Sequence, residues 1–378
     1  MGSNINETLG VWSEWFMLLA AFTYLVAFVA FVWDMASHSK AIGDAERAAQ
    51  RQNAVGREDS KELVGAGSRG GSVSVSASAP GRTVGHDDAH NGAVDNGSVA
   101  GEFRTTADAR PKGADEFEAL NYKDSVSRPA ARAAVVVMGI AFVLHAFAVV
   151  ARGIAADRVP WANMYEFCST GALVVAGVYL VTLSFKDLRF VGPMVSGLVL
   201  LMLCAATIAF PTPVSPLPPA LQSYWLVIHV SIAVAASGLF TITFAMAVLQ
   251  LLQSRREKNA AAGEDTKLGF LRVVPNSTTL ENFAFRLNSV GFVFWTFTLA
   301  AGAIWADQAW GRFWGWDTKE VWTFVIWTVY AAYMHARVTR GWNGNRSAWL
   351  SIAGYMCVVF NFTVVNVYFP GLHSYSGL

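Results

Sequence analysis

The sequence predicts an all-α integral membrane protein of about eight transmembrane helices, with a tryptophan-rich segment on the extracytoplasmic side. Three observations carry that expectation. Apolar residues make up 54% of the 378. Windows of about 20 residues nearly free of charge recur along the chain, each long enough to cross a hydrocarbon core of ~30 Å. Lys and Arg collect in alternate connections, with 24 of the 28 in residues 34–132, 186–189, 253–286 and 337–346. By the positive-inside rule those connections are cytoplasmic, which places both termini and the tryptophan-rich segment outside. The net charge of +1 says little beside this distribution.

Taken in order, the spans fall near 14–33, 131–152, 166–185, 190–210, 224–252, 287–305, 321–338 and 347–369. The first follows Glu7 and Glu14 with no Lys or Arg before it, the opposite of a basic signal-peptide start, so it reads as a retained helix. Residues 34–130 follow as a cytoplasmic linker rich in Gly, Ser, Ala, Asp and Arg, with too little apolar surface to offset ordering entropy; disorder is expected there. His38, His86 and His90 lie in or beside it and receive no function. Residues 131–378 form the membrane domain. Its first outer connection carries Trp161, Asn163, Tyr165 and Glu166. Interfacial Trp and Tyr anchor many membrane helices, and an acid at a helix start suits the macrodipole. Prolines from Pro211 onward make the next outer connection stiff and extended. Cys168, Cys204 and Cys357 all fall in spans, with no C-x-x-C pair. A P-loop and a G-x-G-x-x-G run are both absent, and no nucleic-acid partner is expected.

The stretch Trp305–Glu320, WADQAWGRFWGWDTKE, stands apart from this background. It places Trp305, Trp310, Trp314 and Trp316 beside Asp307, Arg312, Asp317, Lys319 and Glu320. So many ionisable groups are expensive in hydrocarbon, and loops rarely favour indoles. The composition suggests a flat aromatic platform at the membrane surface, suited to a planar ligand with an apolar body and anionic corners. Belt anchoring alone is the plainer reading of surface tryptophans, but it does not account for four in twelve residues interleaved with charges.

Four histidines lie in or near the membrane region. His229 opens the fifth span and His373 follows the last, both at the outer face. Neutral imidazole is a usual axial ligand of haem iron, so this pair could clamp a haem resting on the indoles. Arg312 and Lys319 are candidate partners for its carboxylates. A hydrogen-bonded structural histidine is the plainer alternative for either. His335 lies 15 residues beyond Glu320, about 22 Å down its helix, in the inner half of the membrane. His145 lies only about 10 Å from the outer end of its span and does not pair with it in depth.

Trp310 to Glu320 has the form W-G-x-x-W-x-W-D-x-K-E and resembles the "WWD" signature of haem-handling proteins. Trp327, Tyr330 and His335 in the next span and the closing Leu372-His373-Ser374-Tyr375 sharpen the likeness. So do Leu221-Gln222-Ser223-Tyr224-Trp225 ahead of His229, and Asn163-Met164-Tyr165-Glu166. Residues 131–378 resemble the CcsA/ResC family of System II cytochrome c biogenesis proteins, called CcsB in some actinobacteria.

That resemblance implies a protein of the cytoplasmic membrane that moves haem b outward. It implies holocytochrome c synthase (haem lyase) activity exercised together with a CcsB/ResB-type partner on an apocytochrome c bearing C-x-x-C-H. A thiol-reducing protein is a further expected associate. His229 and His373 would ligate haem iron over Trp310, Trp314, Trp316 and Asp317, with His335 at an inner haem site. A ligand for that inner site would come from the partner, leaving His145 without the task. Two other classes compete: a b-type electron-transfer protein, which needs histidine pairs at matching depth, and a solute transporter, which needs inverted repeats or broken helices.

Overall fold

The computed structural model describes residues 5–67, 128–215, 222–264, 268–339 and 342–373. Eight long helices run through them: α1 Glu7–Gly67, α2 Pro129–Ala155, α3 Met164–Phe185, α4 Gly192–Cys204, α5 Tyr224–Ala261, α6 Ser277–Trp310, α7 Thr318–Val338 and α8 Asn345–Phe360. No strand occurs among the described residues. Helices are what a single chain segment needs in hydrocarbon, since each satisfies its own backbone polar groups. Seven of them are long and apolar enough to cross a membrane, α4 and α8 when taken with the helical turns that extend them to Arg189–Ala209 and Asn345–Tyr368. The exception is α7, whose 21 residues suffice in length. Trp322, Thr323, Trp327, Thr328, Tyr330 and Tyr333 fill it where other spans carry Leu, Ile and Val, which lowers its hydropathy.

Helix starts follow local sequence. Pro129 occupies the first turn of α2, where its missing N–H costs nothing. Asn163 caps α3 through the Glu166 amide (3.0 Å), and Asn276 caps α6 through the Thr279 amide (2.8 Å). Asp317 and Glu320 form a reciprocal capping box on α7. At its far end α6 stops on Gly311, whose φ of 69° is left-handed and cheap only for glycine.

Two compact units divide the chain: residues 1–43 with 112–378, and residues 44–111. The described part of the second, residues 44–67, is helical and continues α1 in sequence. This differs from the disordered linker expected from residue 34 onward. Runs such as Ala45-Glu46-Arg47-Ala48-Ala49-Gln50 are good helix formers, and intrinsic propensity favours the helix where apolar surface is scarce. The remainder of that linker, residues 68–127, lies outside the described residues.

Within the first unit, one core joins α1 to α4 through Tyr24, Met138, Tyr179 and Val195. A second joins α5, α6, α7 and α8, with Phe240 stacked on Tyr330 at 3.8 Å between centroids. Polar clamps cross these helices. Thr243 of α5 donates to Asn288 of α6 (2.7 Å), which donates to Ser351 of α8 (3.0 Å). Near one end of α6, Glu281 accepts from Ser347 (2.9 Å) and the Gly344 amide (2.9 Å) and pairs with Arg337 of α7 (3.3 Å). Such bonds hold helices together where the hydrophobic drive between them is weak.

The opposite end, which we call the tryptophan end, carries a second ionic clasp. Glu166 is fully buried and accepts from Arg152 (3.0 Å), Arg158 (2.7 Å) and the Ala162 amide (2.8 Å). Both arginines also donate to carbonyls of the proline-rich connection, Arg152 to Thr212 (2.7 Å) and Arg158 to Ser215 (3.0 Å). One carboxylate therefore ties α2, α3 and the connection after α4 into a rigid frame. Removing it strands two buried guanidinium groups. Glu166→Gln is expected to destabilise the detergent-solubilised protein by ~3–5 kcal/mol, read as a lower thermal midpoint.

Candidate functional site

The tryptophan end gathers one residue set from four separate stretches of chain: the start of α5, the end of α6, the start of α7 and the tail after α8. His229 is in the second turn of α5. Its Nδ1 lies 3.0 Å from the Thr298 carbonyl of α6. Its ring stacks on Trp305 at 5.8 Å and 10°. Gly302 meets its edge so closely that a Cβ there would stand 2.7 Å from Cε1. Thr298, Gly302 and Trp305 recur at i, i+4 and i+7, so one face of α6 holds this imidazole.

His373 comes from the tail. Its Nδ1 lies 2.9 Å from Asp317 Oδ1, and the neighbouring Leu372 amide donates to Asp317 Oδ2 at 2.8 Å. Its ring meets Trp310 at 4.8 Å and Trp305 at 5.4 Å, both edge-on. The hydrogen bond from His373, helped by the amides of Lys319 and Leu372, holds the Asp317 carboxyl down to about 2 against partial burial. In both histidines Nδ1 faces an acceptor, which assigns the proton to Nδ1 and the lone pair to Nε2.

Both imidazoles line a cavity of about 530 Å³ shared with Trp305, Trp314, Lys319 and Phe167. That is within the usual range for a bound small molecule or cofactor. The cavity continues along α5 as far as Phe244, about 22 Å from His229 at the helical rise. Its lining is mostly apolar, with Ser237, Thr241, Thr323, Tyr355, Asn361 and Thr363 among the polar exceptions.

The tryptophans do not form the expected flat platform. Trp305 meets Trp310 at 66° and Trp314 meets Trp316 at 86°. Part of the reason is that the segment is not a separate loop: Trp305 and Trp310 belong to α6, and only residues 311–317 are irregular. Trp305 is 2% exposed and contacts both histidine rings, Trp314 lines the cavity, and Trp316 is 78% exposed with φ at 61°.

The charged candidates separate as well. Arg312 is engaged by Glu320 at 3.3 Å and lies over Trp310 at 5.9 Å, so its charge is already neutralised. Lys319 reaches the cavity wall, where its ammonium donates to Asn366 Oδ1 at 2.5 Å and lies 5.8 Å from the Phe167 ring. Among the described residues no carboxylate is in ion-pair distance of it. Glu166 anchors the clasp, Asn163 caps its amide and Tyr165 lies under the Arg152 guanidinium at 4.3 Å. None of the three is in the cavity lining, although Trp161, Phe167 and Cys168 beside them contribute. His145 is fully buried against Tyr24 of α1, whose hydroxyl is 3.4 Å from its Nδ1. His335 is exposed on α7, on the same face as Phe324 and Thr328, and does not line the cavity.

The approach of Gly302 to His229 leaves no room for a side chain. Gly302→Ala is expected to cost ~1–3 kcal/mol by pushing the His229 ring off the Thr298 carbonyl. A lowered thermal midpoint, with a shifted His229 side-chain nitrogen resonance, checks this.

Residues 161–373 match the profile of the cytochrome c assembly protein family. The chain is 34% identical over 243 residues to the cytochrome c biogenesis protein CcsA of Guillardia theta, covering 60% of this chain and 80% of that one. It is 32% identical over 247 residues to CcsA of Chlamydomonas reinhardtii, covering 64% and 67%. It is 31% identical over 268 residues to CcsA of Microcystis aeruginosa, covering 60% and 82%. With its multi-pass helical architecture and matched signature segment, the chain belongs to the CcsA family of cytochrome c assembly proteins.

Proposed function

We propose that this chain is the membrane subunit of a System II cytochrome c synthase, carrying haem b as its cargo. It presents the haem at the tryptophan end, read as extracytoplasmic, for thioether attachment to apocytochrome c. The observation that carries this reading is the convergence of His229 and His373 on one apolar cavity, each with Nδ1 occupied and Nε2 carrying the lone pair. A haem has an apolar body, an iron that takes imidazole, and two carboxylates. Lys319 supports the last of these needs, because an ammonium without an ion-pair partner at a cavity wall favours an anionic occupant. Arg312, already paired, is the weaker candidate for that role.

The cavity's extension along α5 suits a route by which haem reaches this site from the membrane interior. His335 supports a second, inner contact with haem. An exposed imidazole within hydrocarbon is costly unless a partner covers it, and a CcsB/ResB-type protein would supply that cover. At the outer site each substrate thiol adds across a haem vinyl group: a carbon–sulfur bond forms and the thiol hydrogen ends on the other vinyl carbon. The three cysteines of this chain lie in α3, α4 and α8, so both sulfurs come from the C-x-x-C-H segment of the substrate. Electron transfer between paired membrane haems is less well supported, since His145 packs on Tyr24 while His335 faces outward.

Purified with its partner and reduced with dithionite, the protein is expected to show a Soret band and sharp visible bands. His229→Ala and His373→Ala each weaken the outer-site spectrum, and His335→Ala removes a separate component. Lys319→Met lowers haem affinity roughly tenfold, the worth of one charge-assisted hydrogen bond. A colourless complex at saturating haem refutes the reading.

A further inference from the structure

The two histidines that meet at the cavity are held in different ways. His229 is part of a helix, wedged between the Trp305 face and Gly302, and bonded to a main-chain carbonyl inside α6. Rotating that ring requires α5 and α6 to separate. His373 sits beyond the end of the last helix, after Pro370 and Gly371, with its side chain partly exposed. The last two described residues of this tail, Leu372 and His373, both bond the same Asp317 carboxylate. That carboxylate is itself fixed, because Asp317 caps α7 through the Lys319 amide (3.0 Å) and its own amide is bound by Glu320 (3.1 Å). The acceptor is rigid while the donor it holds is on a tail.

We propose that His229 is the permanent axial ligand and His373 the exchangeable one, with Asp317 as the positioning residue that governs the exchange. This rests on the haem-presenting reading above. When the histidine of the incoming C-x-x-C-H segment arrives, the iron–Nε2 bond to His373 breaks and a bond to the incoming imidazole forms. Iron keeps its oxidation state, and the Nδ1 proton of His373 stays shared with Asp317. The carboxylate therefore has two effects. Its hydrogen bond makes His373 a stronger donor to iron while bound. It also keeps the released ring beside the site, ready to return once the product leaves. Trp310 and Trp305, edge-on to His373 at 4.8 and 5.4 Å, mark the place to which the ring returns.

The test uses the full chain loaded with haem and follows ligand exchange by absorption, independently of attachment. His373→Gly opens the tail side of the iron and His229→Gly the helix side; imidazole is then added to each. Binding is expected to be at least tenfold faster in His373→Gly. Asp317→Asn, with both histidines intact and the helix cap retained, is expected to speed displacement of the native ligand by imidazole at least fivefold. It should also move the haem reduction potential to a more positive value, which a purely structural loss would not do. Equal rates in the two glycine variants, or unchanged exchange and potential in Asp317→Asn, overturn the assignment while leaving haem presentation intact. Failure of every form to take up haem overturns both.

Discussion

At the start of α7 two carboxylates three residues apart point in opposite directions. Asp317 faces forward to the Lys319 amide and across to the tail, where Leu372 and His373 bond it. Glu320 faces back to the amides of Gly315 (2.8 Å) and Asp317 (3.1 Å) and to Arg312. A capping box ordinarily satisfies two orphan amides of a helix. Here the same pair of side chains also shapes the irregular residues after α6 and fastens the C-terminal tail. The position of His373, and with it one wall of the cavity, depends on this arrangement.

The electrostatics of the tryptophan end are asymmetric. Arg152 and Arg158 are bound by Glu166, and Arg312 is bound by Glu320. Arg152 and Arg158 serve the frame, and Arg312 the turn before α7. Among the described residues at this end, Lys319 alone of Arg152, Arg158, Arg312 and Lys319 meets an amide and an aromatic face in place of a carboxylate. An ammonium left at a cavity wall without an ion-pair partner supports the proposed anionic occupant there.

Much of this was legible in the sequence, for identifiable reasons. Hydropathy and the placement of Lys and Arg outlined the helices because the bilayer imposes length and composition on each span. Helix α7 was located, near 321–338, although its hydropathy is low; the Asp317–Glu320 capping box that starts it emerges only in the structure. His229 and His373 were legible as a pair because charge topology put both at one end. The flatness of the platform was a misreading: counting indoles gives no interplanar angle, and Trp305 and Trp310 belong to α6. The difference between Arg312 and Lys319 was hidden, since which acid each meets depends on how the turn after Gly311 folds. Trp305, Gly302 and Thr298 carried a signal in their i, i+4, i+7 spacing, but only the position of α5 reveals what that face holds. Asn163 and Glu166 read as fitting the family's pattern; in the structure Glu166 anchors the clasp of the frame and Asn163 caps its amide.

The central claim is that one haem is held between His229 and His373 in the cavity at the tryptophan end. A cryo-EM map of the haem-loaded complex with its partner tests this most directly. The account predicts planar density spanning the cavity, continuous on its two faces with the imidazoles of His229 and His373, and with its carboxylate edge toward Lys319. Planar density elsewhere, or an unoccupied cavity in a preparation that retains stoichiometric haem, would contradict it.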